Sequence, residues 1–183
     1  NATGPVHTYA ALPPGTLPFG EDAGLIIYNG LDPETAIRAS DRAITDFRNR
    51  HRIPLGSLIV GGMFRLSDEK RPILWVETLA RIVDARKDVY GLLFGNGPLH
   101  PAVNAEIERA RLTDRIHVSL PTAAHALALS AFDVLLLTSR WEGTPNVVIE
   151  AQSVATPVVS CGGGGAAEAL SHGETGLYVE SAE

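Results

Sequence analysis

The residues best suited to chemistry lie between Ser139 and Ala151, and they include two carboxylates, Glu142 and Glu150. The apolar run 134–137 directly before them predicts a buried strand. Gly143 predicts a turn after that strand, and the apolar residues beyond the turn recur at helical spacing. The pattern therefore predicts a strand, a turn that carries one carboxylate, and a helix that carries the other.

The start of this helix is predicted to bind an anion. Pro145 suits a first helical position, because its missing N–H leaves no bond unmade there. The free N–H groups of Asn146 and Val147 would point toward the carboxyl end of the strand, and helix amino termini attract negative charge. A carboxylate beside an anion is badly placed for charge balance, so we expect Glu142 to face a hydroxyl group of a ligand.

A second charged loop lies at 61–72, after a predicted strand at 57–60. Two of its basic residues, Arg65 and Lys70, would stand near the end of that strand, where two cations can neutralise a diphosphate and stabilise it as a leaving group. The loop also contains acidic residues. Taken alone, it is equally compatible with a solvated loop whose charges are incidental.

Together the two loops resemble the donor-binding motifs of retaining glycosyltransferases with the GT-B fold, the GT4 type of the glycosyl transferases group 1. The segment from Glu142 to Glu150 has the family's order of a Glu, a small-residue turn with Pro-Asn, and a Glu on the helix. The basic residues of the other loop match the family's Gly-Arg-Leu and Lys spacing, although Phe64 replaces the Gly. The resemblance covers about residues 25–180.

This resemblance implies that the chain binds a nucleoside-diphosphate sugar as donor substrate, without a cofactor or a catalytic metal. It implies that Glu142 contacts hydroxyls of the donor sugar, that Glu150 contacts the ribose, and that the base lies near Leu120 and Pro121. The residues predicted to bind the donor are Arg65, Lys70, Glu142, Gly143, Thr144, Pro145, Asn146, Val147 and Glu150. Those predicted to act in catalysis are Glu142, Arg65 and Lys70.

Other segments match the family less specifically. Residues 94–99 and 172–177 resemble two of its turns. In the glycine-rich segment 160–168, Gly162 and Ala167 replace the family's usual Asp and Pro. The glycines permit close approach of a ligand, but a flexible turn between a strand and a helix explains them equally well.

Strands and helices alternate regularly from residue 56. Strands are predicted at 57–60, 89–94, 115–118, 133–137, 157–160 and 177–179, and helices at 72–86, 101–112, 122–131, from 145, and at 166–170. Apolar strands that alternate with helices favour an α/β fold with a doubly wound, Rossmann-like parallel sheet, the C-terminal half of a GT-B fold. Ligands of such sheets bind beyond the carboxyl ends of the strands, where all of these loops fall.

The beginning of the chain has a different character. Residues 1–24 are rich in proline and glycine, which predicts a loop or a disordered leader, and 25–183 would form the nucleotide-sugar-binding domain. A strand at 25–28 would lead into a helix from Asp32 to about residue 50, with Ile37 on its buried face. This segment resembles the family's passage into its second domain. The chain opens without Met, and we expect it to be a fragment that lacks the first domain.

Composition limits the partners. The net charge of −6 and the absence of a basic run argue against nucleic acid. No apolar stretch approaches the roughly 20 residues of a membrane helix. The single cysteine, Cys161, excludes an internal disulfide and favours the cytoplasm. The six histidines lack ligand spacing and there is no Asp-x-Asp motif, so no metal is implied.

Several assignments stay open. His100, His117 and His125 are interpreted as surface or packing residues rather than bases. Trp75 belongs to the core or to a helix surface, and Trp141, beside Glu142, is a candidate wall of the donor pocket. The acceptor, a glycan, lipid or small molecule, would bind through the first domain, and the full-length protein could associate peripherally with a membrane. A non-catalytic nucleotide-sugar-binding module and a sugar-nucleotide epimerase remain alternatives.

Overall fold

The structure, a computed structural model, describes residues 29–32, 37–161 and 163–179. Its helices are α1 (Asp41–Arg50), α2 (Pro72–Ala85), α3 (His100–Arg109), α4 (His125–Ala131) and α5 (Asn146–Ser153). Its strands are β1 (Leu58–Met63), β2 (Val89–Phe94), β3 (Ile116–Ser119), β4 (Val134–Leu137), β5 (Trp141–Glu142), β6 (Val158–Cys161), β7 (Gly163–Gly164) and β8 (Gly176–Val179).

Six of these strands form one parallel sheet in the order β3-β2-β1-β4-β6-β8. The chain adds β2 and β3 on one side of β1, then returns to the other side of β1 for β4, β6 and β8. This is the doubly wound order, which reverses direction between β1 and β4. The predicted α/β fold with a Rossmann-like sheet is confirmed.

Helices cover both faces of the sheet, and each face has its own apolar core. Buried side chains of α1, α4 and α5 pack on one face with Ile59, Leu92 and Leu135 of the strands. Those of α2 and α3 pack on the other face with Val60, Leu93 and Leu136. Neighbouring residues of each central strand thus point into opposite cores, which is why these strands are apolar throughout.

Two glycines let the helices approach the central strand closely. A Cβ at Gly61 would lie 2.0 Å from the ring of Phe132, and one at Gly62 would lie 2.9 Å from the indole nitrogen of Trp75. Each ring occupies the space that a side chain would need. Trp75 is fully buried, so of its two interpretations the core position is correct.

The predicted first helix is wrong at its amino end. It was expected to begin at Asp32, but α1 begins at Asp41. The Ser40 hydroxyl accepts a hydrogen bond from the backbone N–H three residues later, at 3.4 Å, and serine is a favoured N-cap. Ile37 precedes the helix and is 67% exposed instead of lying on its buried face. The leader at 1–24 and the strand at 25–28 lie outside the described residues.

Two further expectations differ from the structure. No helix forms at 166–170, where the chain makes turns although Ala166 and Leu170 are buried. The stretch 166–170 has only five residues and lies between Gly165 and Gly173, so it is too short to offset the cost of helix nucleation. The small parallel pair β5 and β7 had no sequence signal, because two-residue strands show no periodicity. Within the described ranges, no helix is long and apolar enough to cross a bilayer.

Two partly buried histidines lie close together, His51 directly after α1 and His117 in β3. The ring of His51 contacts those of Phe47 and Phe94, with centroids 4.5 and 5.6 Å away. Burial lowers the pKa of His51, and the nearby charges of Arg50 and His117 lower it further. Burial also lowers the pKa of His117, whose Nε2 has no hydrogen-bond partner in the part of the chain that the structure describes.

We therefore expect acid to destabilise the fold. Both folded-state pKa values lie below the ordinary 6.5, so the unfolded chain takes up protons first as the pH falls, and the free energy of unfolding should decrease below about pH 6.5. Urea denaturation between about pH 7.5 and about pH 5.5 measures this slope. The double variant His51→Gln, His117→Gln should flatten it, and an unchanged slope would contradict this origin.

Candidate functional site

The two charged loops meet at the centre of the sheet. β1 and β4 are neighbours, and the connections that follow them lead to opposite faces, to α2 and to α5. At such a switch point a parallel sheet opens a crevice beyond the carboxyl ends of the two strands. Residues 64–71 after β1 and residues 138–145 after β4 border this crevice.

Arg71 fastens the two loops together. Its backbone is left-handed, with φ of 47°, at the junction between a 3₁₀ turn (Asp68–Lys70) and α2. Its Nε donates to the Thr138 carbonyl at 2.7 Å. The buried Thr138 hydroxyl lies 3.1 Å from the carbonyl oxygens of both Lys70 and Arg71. These bonds hold Lys70 beside the end of β4.

Lys70 forms an ion pair with Glu142 in the crevice. Its Nζ lies 2.7 Å from each carboxylate oxygen, and the Ser139 hydroxyl donates to one of them at 2.5 Å. The two charged side chains are only 22% and 11% exposed, so salt screens their attraction weakly. Removing either partner would leave the other as an uncompensated, partly buried charge.

This pair changes the interpretation of Glu142. From the sequence, no cation of the protein was expected beside this carboxylate, so a ligand hydroxyl was predicted as its partner. The structure supplies Lys70 as its counter-ion, from 72 residues away in the chain. Two side chains predicted to bind different parts of the donor are thus in direct contact, and their binding roles stay predictions.

Glu142 is also held through its backbone. Trp141 and Glu142 form β5, which pairs with Gly163 and Gly164 of β7, and the next N–H along the chain, that of Gly165, donates to the Glu142 carbonyl at 3.0 Å. Gly164 has φ of +89°, and a Cβ there would lie 2.1 Å from that carbonyl oxygen. Glycine is therefore required at 164 by contact with Glu142. Trp141 is 62% exposed, and its role as a wall of the donor pocket stays a prediction.

The start of α5 presents open backbone donors. The helix begins at Asn146, and Pro145 is its N-cap, one residue earlier than the predicted position. No side chain caps the helix, and no acceptor within the described ranges receives the N–H groups of Asn146 or Val147. The buried Thr144 hydroxyl likewise lacks a partner among these residues. This is the geometry of an anion site.

The segment before α1 also reaches this turn. The Asn29 side-chain amide donates to the Asn146 side chain at 2.7 Å and to the Thr144 carbonyl at 3.4 Å. This amino-terminal segment therefore lies against the start of α5, and it limits the directions from which a ligand can enter.

Arg65 is the more exposed of the two predicted cations. Its loop is tied to the turn after β2 by the Leu66 N–H, which donates to the Asn96 carbonyl at 3.0 Å. Its guanidinium forms no ion pair with any residue that the structure describes. Arg65 and Lys70 both help to lower the pKa of Glu69, after the larger effect of the Ser67 hydroxyl that donates to it. Both cations therefore lie close to the carboxylate of Glu69.

Glu150 lies apart from this group, on α5, where it faces α4. Its carboxylate is 3.1 Å from Nδ1 of His125, the first residue of α4. The two side chains border a pocket of ≈ 440 Å³, together with Leu31, Ala123, Ala124, Ala126, Leu127 and Ser153. Glu142 and Glu150 thus occupy different surroundings, an ion pair with lysine and the wall of a pocket.

Sequence reasoning missed the side chains that support the site. Arg71 and Thr138 bind backbone groups of a distant loop, which no local pattern indicates. Ser139 donates to the carboxylate of Glu142, three residues later in the same loop. His125 was interpreted as a surface or packing residue, and its pairing with Glu150 depends on the contact between α4 and α5. In the sequence, these four residues were marked only by their positions next to a predicted strand end or helix start.

Comparison with known proteins places this geometry in a family. Residues 56–183 match the family model described as glycosyl transferases group 1. The Vi polysaccharide biosynthesis protein VipC/TviE of Salmonella typhi is 29% identical over 159 residues, which are 86% of this chain and 28% of the relative. The 2-deoxystreptamine glucosyltransferase of Streptomyces kanamyceticus is 30% identical over 143 residues, 76% of this chain and 37% of the relative. The chain thus spans less than half the length of these curated relatives.

A solved structure shows the same architecture. The Anabaena protein Alr3699/HepE in complex with UDP-glucose superposes with a TM-score of 0.78 at 25% identity. The match covers 87% of this chain and 44% of the Anabaena chain.

The glycine requirement beside Glu142 can be tested. Gly164→Ala should lower the free energy of unfolding by about 1–3 kcal/mol, because the new methyl group collides with the Glu142 carbonyl at a strained φ. Gly163→Ala is a matched control, since the nearest atom to its Cβ, outside its chain neighbours, is 4.0 Å away. Urea denaturation of both variants gives the comparison, and equal losses would show that β7 does not pack on Glu142 as described.

Proposed function

Because this chain belongs to the glycosyl transferases group 1, we propose that it binds a UDP-sugar and serves in retaining transfer of the sugar to an acceptor hydroxyl, as a GT4-type enzyme. The observation that carries the proposal is the meeting of Lys70, Glu142 and the uncapped start of α5 at one switch point of the sheet. A cation, a carboxylate and backbone donors are the groups that a sugar diphosphate needs.

The diphosphate is proposed to lie against Lys70, Arg65 and the turn from Gly143 to Val147. The Lys70 ammonium has three N–H donors. Two can serve the carboxylate of Glu142, which leaves one for a phosphate oxygen. When the bond from the sugar to the diphosphate breaks, negative charge grows on the leaving group, and these fixed positive groups stabilise it without reorganising.

The two carboxylates are proposed to bind different hydroxyl groups, Glu142 those of the transferred sugar and Glu150 those of the ribose. Glu142 stands beside the proposed diphosphate position and is held there by Lys70 and Ser139, so its oxygens are oriented for hydroxyls of the transferred sugar. Glu150 borders the pocket between α4 and α5, and this pocket is proposed to take the nucleoside. The UDP and UDP-glucose complexes of the Anabaena relative support this donor class.

The acceptor is proposed to bind a separate domain across the crevice, as in the two-domain family that the sequence resembles. The chain's share of its curated relatives, 28% and 37%, supports this division. The reaction is proposed to need no cofactor. A cytoplasmic setting is likewise a proposal, which rests on the single cysteine in the sequence.

The first prediction of this proposal concerns Lys70. Lys70→Ala should weaken UDP binding by about 1.5–3 kcal/mol, the range for a charge-assisted contact, and should leave uridine binding unchanged. Lys87→Ala is a control for net charge, because Lys87 is exposed, follows the far end of α2 and pairs with Asp84 in the last turn of that helix. Isothermal titration calorimetry measures both, and equal UDP affinity in the Lys70 variant and the parent would remove the assignment.

The second prediction separates the carboxylates. Glu150→Gln should weaken UDP and UDP-glucose alike, by about 1–2 kcal/mol, whereas Glu142→Gln should weaken only UDP-glucose. UDP affinity should hold or rise in the Glu142 variant, because Lys70 loses its competing carboxylate. The ratio of the two dissociation constants is the readout. A Glu142 variant that lost affinity for UDP and UDP-glucose by the same factor would reverse these roles.

The third prediction concerns transfer. The 183-residue chain should bind UDP-glucose at about millimolar concentration, near −4 kcal/mol. It should show no transfer, because an acceptor domain that excludes water and aligns the acceptor oxygen accounts for about 7–11 kcal/mol of barrier lowering. Release of UDP in the presence of candidate acceptors is the assay. Transfer at the rate of a full-length relative would show that these residues hold a complete catalytic site.

A further inference from the structure

His125 and Glu150 form a contact that the donor-binding motif does not contain. Nδ1 of His125 lies 3.1 Å from Oε2 of Glu150, and the two residues are 25 positions apart on different helices. The carboxylate is 25% exposed and the imidazole 48% exposed. Both side chains line the pocket between α4 and α5, where a ligand could contact them.

The contact uses only part of the hydrogen-bonding capacity of each group. An ionised carboxylate accepts about four hydrogen bonds, and within the described ranges Glu150 receives one, from His125. The remaining positions are open toward the pocket. The backbone carbonyl of Glu150 is engaged separately by the Ser153 hydroxyl at 2.7 Å. The carboxylate is thus anchored at one oxygen and open to a ligand at the other.

We infer that His125 is the positioning residue of the ribose site: its imidazole orients the Glu150 carboxylate so that the free oxygen faces the ribose hydroxyls of the nucleotide. This rests on the proposed function, and it adds to it a residue outside the donor-binding motif. A glutamate side chain has three rotatable bonds, and a hydrogen bond from a neighbouring residue that fixes its orientation strengthens ligand binding although that neighbour does not touch the ligand.

The alternative is that the pair only ties α4 to α5. These helices already pack through buried apolar side chains, among them Leu129 and Val148. A tie between helices would affect every ligand of the pocket equally and would act through stability. A positioning role affects only ligands that carry the hydroxyls from which Glu150 accepts hydrogen bonds.

The test compares UDP with 2′,3′-dideoxy-UDP, which keeps the base and diphosphate but lacks the ribose hydroxyls. His125→Ala should weaken UDP binding about three- to tenfold, the usual loss for one hydrogen bond. It should change dideoxy-UDP binding less than about twofold. His125→Asn should restore UDP affinity, because the asparagine amide places a donor close to the position of Nδ1. Calorimetry or fluorescence titration gives the dissociation constants.

Two controls sharpen the result. His100→Ala removes the matching histidine, the first residue of α3, which borders a different groove, and it should leave both affinities unchanged. In a Glu150→Gln background, His125→Ala should cause no additional loss, because the charged carboxylate it orients is gone. Urea denaturation of each variant separates altered binding from altered folding.

The outcomes distinguish the two levels of the proposal. If the parent binds UDP and His125→Ala weakens UDP and dideoxy-UDP equally, or weakens neither, His125 does not position Glu150 and the proposed function stands. Additive losses in the double variant would also overturn the positioning role. If the parent binds neither nucleotide, the proposed function fails and the role of His125 fails with it.

Discussion

The reversal of strand order between β1 and β4 is the constraint on which the site depends. Because the connections from these two strands lead to opposite faces, their loops diverge and leave a crevice at the centre of the sheet. The buried Thr138 and the side chain of Arg71 bridge the crevice at its base. Every charged group of the proposed site is placed by one of the elements that border it.

Charge balance in this crevice is achieved within the protein. Lys70 and Glu142 neutralise each other before a ligand arrives, and Ser139 holds the carboxylate at a second point. A partly buried charge without a partner would bear a desolvation cost. The ion pair holds both side chains in place, so that the lysine can serve a diphosphate and the carboxylate a sugar hydroxyl from fixed positions.

Much of this could be predicted from the sequence, because strand and helix periodicity is a local property. The strands that hold Ile59, Leu92 and Leu135 were located from their apolar runs, and the resemblance of the two charged loops indicated the family. The start of α1 was misplaced because Asp32 and Ser40 are both good N-caps, and no local rule chooses between them.

Contacts between loops could not be predicted, since they depend on which strands become neighbours. The pairing of Lys70 with Glu142 and that of His125 with Glu150 both arise from tertiary packing. The glycine-rich segment illustrates the same limit. Its composition allowed a ligand contact or a flexible turn, whereas Gly164 is required because it packs against the Glu142 carbonyl.

A crystal structure of this chain with UDP bound would test the proposed position of the nucleotide. A phosphate oxygen should lie within about 3 Å of Lys70 Nζ and of the N–H groups of Asn146 and Val147, with the ribose hydroxyls at Glu150. UDP bound elsewhere on the sheet, or bound with its diphosphate turned away from Lys70 and α5, would contradict it.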